Sequence, residues 1–100
     1  MIFIINNKKY DTEKMQEIAE VKKWYRVDDA FSIMLFQGKE VGRDYLCTLW
    51  KSDKGNWLLT HETDYHRNKG EAIDEEEAKT LLSHYALDKY EELFGEIPEA

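Results

Sequence analysis

The sequence predicts an α+β fold, namely a small antiparallel sheet with an N-terminal helix and two C-terminal helices. Two β-rich segments flank a polar turn around Gly55, which is the pattern of a β-hairpin. Apolar residues recur at helical spacing between Met15 and Tyr25, and two helix-capping sequences follow Ile73. The length of 100 residues predicts a single domain over residues 1–100.

The N-terminal segment predicts a hairpin followed by a helix. Residues 2–5 are β-rich and end at an Asn-Asn pair, which tolerates the positive φ of a tight turn, so residues 8–10 are expected to return as a paired strand. Either Asp11 or Thr12 then caps the predicted helix. Met15, Ile18 and Ala19 share one face of this helix at three- and four-residue spacing, and Lys22 and Tyr25 extend it.

The middle of the chain predicts further strands. Residues 31–36 form a continuous apolar run, whose length favours a buried strand but also fits a helical turn. Residues 45–51 and 57–62 are predicted to be strands joined by a turn in which Gly55 has φ > 0.

The length of this turn decides whether the hairpin can hold a metal. A three-residue loop places Cys47 directly opposite His61, whereas a two-residue loop places Thr48 there and turns Cys47 to the other face. A facing Cys and His suit Zn²⁺, which prefers thiolate and imidazole ligands. The first register therefore predicts a zinc site with the candidate ligands Cys47, His61, Asp64 and His66. The alternative is an ordinary buried cysteine.

The C-terminal part predicts two short helices. Asp74, with a Glu three residues later, has the logic of a capping box, and an apolar face of Ala78, Leu81, Leu82 and Tyr85 follows it. Asp88 and Glu91 repeat this spacing at the predicted start of a second helix, and Gly95 stands where a C-terminal glycine belongs.

Acidic residues are concentrated in these helices. Residues 71–100 contain ten acids and two bases, net −8, while the other residues contain eleven acids and twelve bases, net +1. Acids at helix N-termini suit the macrodipole, so part of this excess has a local explanation. The rest predicts a face that repels nucleic acid and attracts basic partners. The candidate partner-binding acids are Glu71, Glu75, Glu76, Glu91, Glu92 and Glu96. Trp24 and Tyr25 are candidate aromatic anchors, because a helix cannot easily bury two adjacent residues.

The composition argues against several classes of protein. A single cysteine excludes an intramolecular disulfide, and the apolar run at residues 1–5 is too short for a signal peptide or membrane span, so a cytosolic location is expected. No Gly-rich phosphate loop or nucleophile motif is present, so the protein is expected not to be an enzyme. The basic clusters Lys8-Lys9 and Lys22-Lys23-x-x-Arg26 are isolated from each other, which argues against nucleic-acid binding.

Several segments carry a family resemblance. Residues 8–13 (KKYDTE), 49–59 (LWKSDKGNWLL), 75–79 (EEEAK) and 90–96 (YEELFGE) resemble the pattern of small acidic proteins encoded on phages, plasmids and other mobile elements of Gram-positive bacteria. Residues 26–46 do not follow that pattern. Most of the group has no assigned function.

Proteins of this size and acidity on mobile elements include anti-CRISPR proteins, several of which block Cas nucleases as acidic binders. The resemblance therefore implies a non-enzymatic inhibitor of a host nuclease defence, with a CRISPR-Cas effector such as Cas9 as the expected partner. This implication rests on size and charge, and no functional residue is transferred with it. The alternative is a small zinc-binding accessory protein that acts through protein–protein interaction.

Overall fold

A four-stranded antiparallel sheet forms the centre of the molecule, with a separate β-hairpin and two C-terminal helices around it. The computed structural model describes residues 1–26, 42–63 and 66–100. The strands are β1 (Ile2–Ile5), β2 (Lys8–Asp11), β3 (Gln16–Arg26), β4 (Gly42–Lys51), β5 (Trp57–Glu62) and β6 (Asn68–Ile73). The helices are α1 (Glu75–Tyr85) and α2 (Leu87–Phe94), and a single 3₁₀ turn covers Thr12–Lys14.

The predicted N-terminal helix is wrong, so the fold is mostly β with a helical C-terminal part. The Asp11 carboxylate does accept from the Glu13 amide, but it caps only the 3₁₀ turn, and the chain then enters the 11-residue strand β3. The pairing register of β3 with β4 shifts between Glu17 and Ala19, which marks a β-bulge. Because a bulge adds one residue, Ile18 and Val21 both face the core although they are three apart. Buried residues three apart are also typical of one face of a helix, so this spacing led to the wrong prediction.

The two hairpins form as predicted. Asn6 and Asn7 have φ of 52° and 63°, as a two-residue primed turn between β1 and β2 requires. In the second hairpin the Ser52 amide donates to the Asn56 carbonyl (2.9 Å), and Gly55 has φ of 84°. Residues 53–55 therefore form the three-residue loop, which is the first of the two alternatives given above.

Strand order in the sheet is β3-β4-β5-β6. The edge strand β6 was not predicted, because Gly70 and Glu71 weaken its β-rich pattern and only pairing with β5 specifies it. The apolar run at 31–36 lies outside the described residues.

The core lies between one face of the sheet and the two helices. Its buried residues are Ile18, Val21, Tyr45, Cys47, Leu49, Trp57, Leu59, Ala78, Leu81 and Leu82. The β1–β2 hairpin covers part of the other face, where the Phe3 ring lies over Gly70. Leu58 and Tyr10 are buried outside the main core.

The helix ends match the prediction at two of the three predicted points. The Asp74 carboxylate accepts from the Glu77 amide (2.8 Å) at the start of α1, and Gly95, with φ of 90°, ends α2. The predicted cap at Asp88 is wrong, since α2 begins at Leu87 behind Ala86 without a side-chain cap. The two helices share Ala86 as their junction, so no residue is left for a separate cap.

Candidate functional site

Seven polar and aromatic side chains meet at one end of the helix-covered face of the sheet. We call them the ion–aromatic cluster: Lys23 and Tyr25 of β3, Tyr45 and Cys47 of β4, His61 of β5, Glu71 of β6 and Glu77 of α1. Strand alternation explains the convergence, because residues two apart share a face. The register adds the pairs Lys23–Tyr45 and Cys47–His61 across the ladders.

Lys23 is the cationic centre of the cluster. Its Nζ lies 2.6 Å from Oε1 of Glu71 and 2.7 Å from Oε2 of Glu77. The Tyr25 hydroxyl donates to the same Glu71 oxygen at 2.9 Å. Charge-assisted hydrogen bonds of this length are stronger than neutral ones, so these contacts tie β3 to both β6 and α1.

These contacts show that the sheet is strongly curled. β3 and β6 are its two edge strands, and three strand spacings would separate them by about 14 Å in a flat sheet. Lys23 and Tyr25 nevertheless reach Glu71 directly. The sheet therefore bends over the helix side, and the cluster closes the gap between its edges.

The aromatic rings pack around His61. Tyr25 stacks on the imidazole with ring centroids 4.2 Å apart and an interplanar angle of 20°, and the Tyr45 ring lies 5.0 Å away on a tilt. The Arg43 guanidinium sits 4.5 Å from the Tyr45 centroid. His61 is 8% exposed, and its Nδ1 has no hydrogen-bond partner among the described residues.

The environment sets the protonation states of the cluster. Burial raises the pKa of the Cys47 thiol and lowers the pKa of His61, and nearby Lys69 lowers the latter further. Burial and the hydrogen bond to Glu71 raise the pKa of Tyr25 far above its ordinary value. For Lys23, burial lowers the pKa, but the bonds to Glu71 and Glu77 outweigh it and leave the pKa raised.

These states favour a structural role for the cluster. The thiol and the phenol stay protonated and the imidazole neutral near pH 7, whereas nucleophilic attack by cysteine requires a thiolate. Lys23 stays charged and is held by two carboxylates. The cluster therefore joins strands and helix through its ion pairs and ring contacts, although the Nδ1 of His61 has no hydrogen-bond partner among the described residues.

The structure brings together two of the four predicted zinc ligands. Cys47 and His61 face each other on β4 and β5, so of the two registers left open by the sequence the structure has the one with the three-residue loop. His66 is 89% exposed and its Nδ1 lies 2.8 Å from Glu62 Oε1, while Asp64 lies outside the described residues. Within residues 1–26, 42–63 and 66–100, no group of three or more His, Cys, Asp or Glu side chains is placed to hold a metal.

The predicted partner-binding acids fall into two groups. Glu71 is half-buried in the ion–aromatic cluster, and so is not a free surface charge. The others are exposed, and we call them the acidic helical surface: Glu75, Glu76, Glu91, Glu92 and Glu96. Glu92 lies 3.4 Å from Lys89, and the remaining four have no ion pair within the described part of the chain.

The two helices fold back on each other. The Lys79 ammonium of α1 lies 5.0 Å from the centroid of Phe94 at the end of α2. The end of α2 therefore lies beside the first half of α1. Glu75 and Glu76 begin that half of α1, Glu91 lies within α2, and Glu96 follows Gly95 at the end of α2.

The two candidate aromatic anchors point to opposite faces of the sheet. They belong to a strand, so the argument that a helix would expose one of them is wrong. Tyr25 is half-buried in the cluster. Trp24 is 48% exposed on the opposite face, where its ring lies over Gly42.

Sequence reasoning missed the roles of Lys23, Tyr45 and Glu77. Lys23 lies 48 residues from Glu71 and 54 from Glu77, so no local pattern indicates their contact. The hairpin register was the one available indication, because it places Tyr45 on the same face as Cys47 and His61.

No protein-family model matches the sequence, and no curated protein or solved structure matches it with significant similarity. The resemblance to mobile-element proteins therefore stays a hypothesis. Neither helix in the described part of the chain has the length and apolar character needed to cross a membrane.

Proposed function

We propose that this chain is a non-enzymatic binding protein whose acidic helical surface occupies a basic surface of a nuclease. The partner class follows from the resemblance given above: a host nuclease defence in the bacterial cytoplasm, with a CRISPR-Cas effector such as Cas9 as the leading candidate. The observation that carries the proposal is the set of exposed acids on the α1–α2 pair and just after it, four of which form no ion pair with the described residues.

Charge explains why a nuclease is a suitable partner. Channels that hold nucleic acid are rich in Lys and Arg because they must neutralise phosphates. A protein with a net charge of −7 that presents free carboxylates competes for such a channel. It need not perform chemistry, and the protonated thiol and tyrosine of the ion–aromatic cluster agree with a non-catalytic role.

A salt titration tests the electrostatic part of the proposal. We expect the association rate of the chain with a purified Cas9 to fall steeply as salt rises, because the Debye length decreases from about 10 Å at 0.1 M to about 3 Å at 1 M. Surface-immobilised Cas9 allows the association and dissociation rates to be measured separately. An association rate independent of salt contradicts the acidic-surface model.

Charge reversal tests whether acids of the acidic helical surface contact the partner. The variant Glu91→Lys/Glu96→Lys is preferable to one at Glu92, which already pairs with Lys89. We expect it to bind more weakly and to lose inhibition of DNA cleavage, with a fold unchanged by circular dichroism, because exposed substitutions change stability by less than about 0.5 kcal/mol.

The matched control makes the same change in net charge on β3. Glu17→Lys/Glu20→Lys alters two exposed acids outside the acidic helical surface. We expect it to retain binding and inhibition. If both double variants bind as the unmodified protein does, or if both lose binding equally, the acidic helical surface is not the interface.

A further inference from the structure

A cleft on the hairpin side of the molecule gathers basic residues that are far apart in sequence. It has a volume of about 280 Å³ and lies between β2 with its following 3₁₀ turn and the β4–β5 loop. Its lining includes four lysines and two aspartates: Lys8, Lys9, Lys14, Lys54, Asp11 and Asp53. The Lys8-Lys9 pair is thus not isolated, because the fold brings Lys14 and Lys54 to the same cleft.

The lysines of the cleft form no ion pair within the described part of the chain. Asp11 already accepts a hydrogen bond from the Glu13 amide. Four lysines and two aspartates leave a formal charge of 4 − 2 = +2 in the cleft, on a chain whose total is −7.

Hydrogen bonds hold both walls of the cleft in place. On one side, the Met1 ammonium donates to Thr12 Oγ1 (3.0 Å) and the Thr12 amide donates to the Met1 carbonyl (2.9 Å). On the other, the Asn56 amide donates to Ser52 Oγ (3.0 Å) within the β4–β5 loop. The backbone that carries the lysines is therefore ordered before any ligand arrives, which lowers the entropic cost of binding.

We infer that this cleft binds small phosphorylated molecules. A phosphate monoester carries between about −1.5 and −2 charges at pH 7, which matches the +2 excess, and lysine ammonium groups are common ligands of phosphate. Tyr10 and Met15 also line the cleft and supply apolar contact for the organic part of the ligand.

The size and the overall charge select a small ligand rather than a nucleic acid. The volume lies near the lower bound of about 300 Å³ for small-molecule pockets. Outside the cleft, the chain has a net charge of −7 − (+2) = −9, which repels the extended backbone of a polyanion.

Phenyl phosphate and inorganic phosphate are the probes. Titration of the ¹⁵N-labelled protein is expected to shift the amides of Lys8–Met15 and Ser52–Asn56 with both probes, and phenyl phosphate should bind more tightly because of its ring. A short single-stranded oligonucleotide forms the third arm. If no amide of the cleft shifts with phenyl phosphate, or if the oligonucleotide saturates the same amides at lower concentration, the assignment is overturned.

Two double variants distinguish phosphate binding in the cleft from non-specific attraction to positive charge. Lys9→Ala/Lys54→Ala removes one ammonium from each wall, and we expect it to weaken phenyl phosphate binding by about tenfold. Lys22→Ala/Lys69→Ala removes the same charge at exposed positions outside the cleft and should leave binding unchanged. Equal weakening by the two variants shows non-specific attraction and overturns the proposal. Circular dichroism of each variant confirms that the fold is retained.

Discussion

Lys23 and Glu71 connect the two edge strands of the four-stranded sheet through an Nζ–Oε1 contact of 2.6 Å. Glu71 accepts a second hydrogen bond from the Tyr25 hydroxyl, so one carboxylate binds two side chains of β3. This places Glu71 within the framework of the curled sheet, and it sets that residue apart from the exposed acids of α1 and α2.

The first prediction separates Glu71 from those acids. We expect Glu71→Gln to lower the free energy of unfolding by about 1 kcal/mol, because it removes the charge that Lys23 and Tyr25 bind. The value is modest because Glu71 is 43% exposed and water screens the pair. Glu91→Gln is the matched control and should stay within about 0.5 kcal/mol of the unmodified protein. Urea denaturation measures both, and equal stability of the two variants contradicts the role of Glu71.

The second prediction concerns the attachment of the β1–β2 hairpin. A Cβ added at Gly70 would lie 2.8 Å from the nearest Phe3 ring atoms, so the ring must move. We expect Gly70→Ala to destabilise the protein by about 1–3 kcal/mol through overpacking. In a Phe3→Ala background the same substitution should cost clearly less, since its clash partner is gone. Additive effects in this double-mutant cycle, measured by urea denaturation, mean that Phe3 does not constrain position 70.

Local sequence patterns predicted the parts of the fold that local chemistry determines. The turn at Gly55, the Asn6-Asn7 turn and the Asp74 cap each depend on a few neighbouring residues, and all three are present. The β3 prediction failed because a bulge at Ile18 places core residues at helical spacing. β6 was missed because its pairing with β5 is not visible in its own composition.

The candidate site was predictable only where the hairpin register extends to it. The sequence reduced the partner of His61 to Cys47 or Thr48, depending on the loop length, and the structure shows the Cys47 register. Lys23 could not be assigned to Glu71, because their contact depends on sheet curvature that is set by four strands and a helix. The basic cleft likewise joins residues from two turns that only the folded chain brings together.

The third prediction addresses the zinc hypothesis. We expect purified protein to contain well below one zinc per chain and to keep its melting temperature in excess chelator. No group of three or more His, Cys, Asp or Glu side chains among the described residues is placed to hold a metal, and burial raises the pKa of the Cys47 thiol, which must lose its proton to bind zinc. Elemental analysis and thermal unfolding check this.

One zinc per chain, with a chelator-induced fall in melting temperature, contradicts this prediction. In that case Cys47→Ala should abolish the bound zinc, and separate substitutions of Asp64 and His66 should identify the other ligands.

The fourth prediction concerns the pH dependence of stability. His61 is buried with a lowered pKa, so between its native pKa and the ordinary value of 6.5 the unfolded state binds more protons than the native state. Stability from this residue is therefore complete above about pH 6.5 and is lost as the pH falls through the native pKa. Two neighbouring charges act on the pKa of His61 in opposite directions. Lys69 lowers it by repelling the imidazolium, whereas Glu71 raises it by attracting the imidazolium.

Urea midpoints between about pH 7.5 and about pH 5 measure this contribution. We expect His61→Phe, which keeps an aromatic ring between Tyr25 and Tyr45, to lose part of the acid destabilisation seen in the unmodified protein. His66→Gln is the control, because His66 is 89% exposed and its loss should leave the pH profile unchanged. If His61→Phe shows the same acid profile as the unmodified protein, protonation of His61 does not limit stability at low pH.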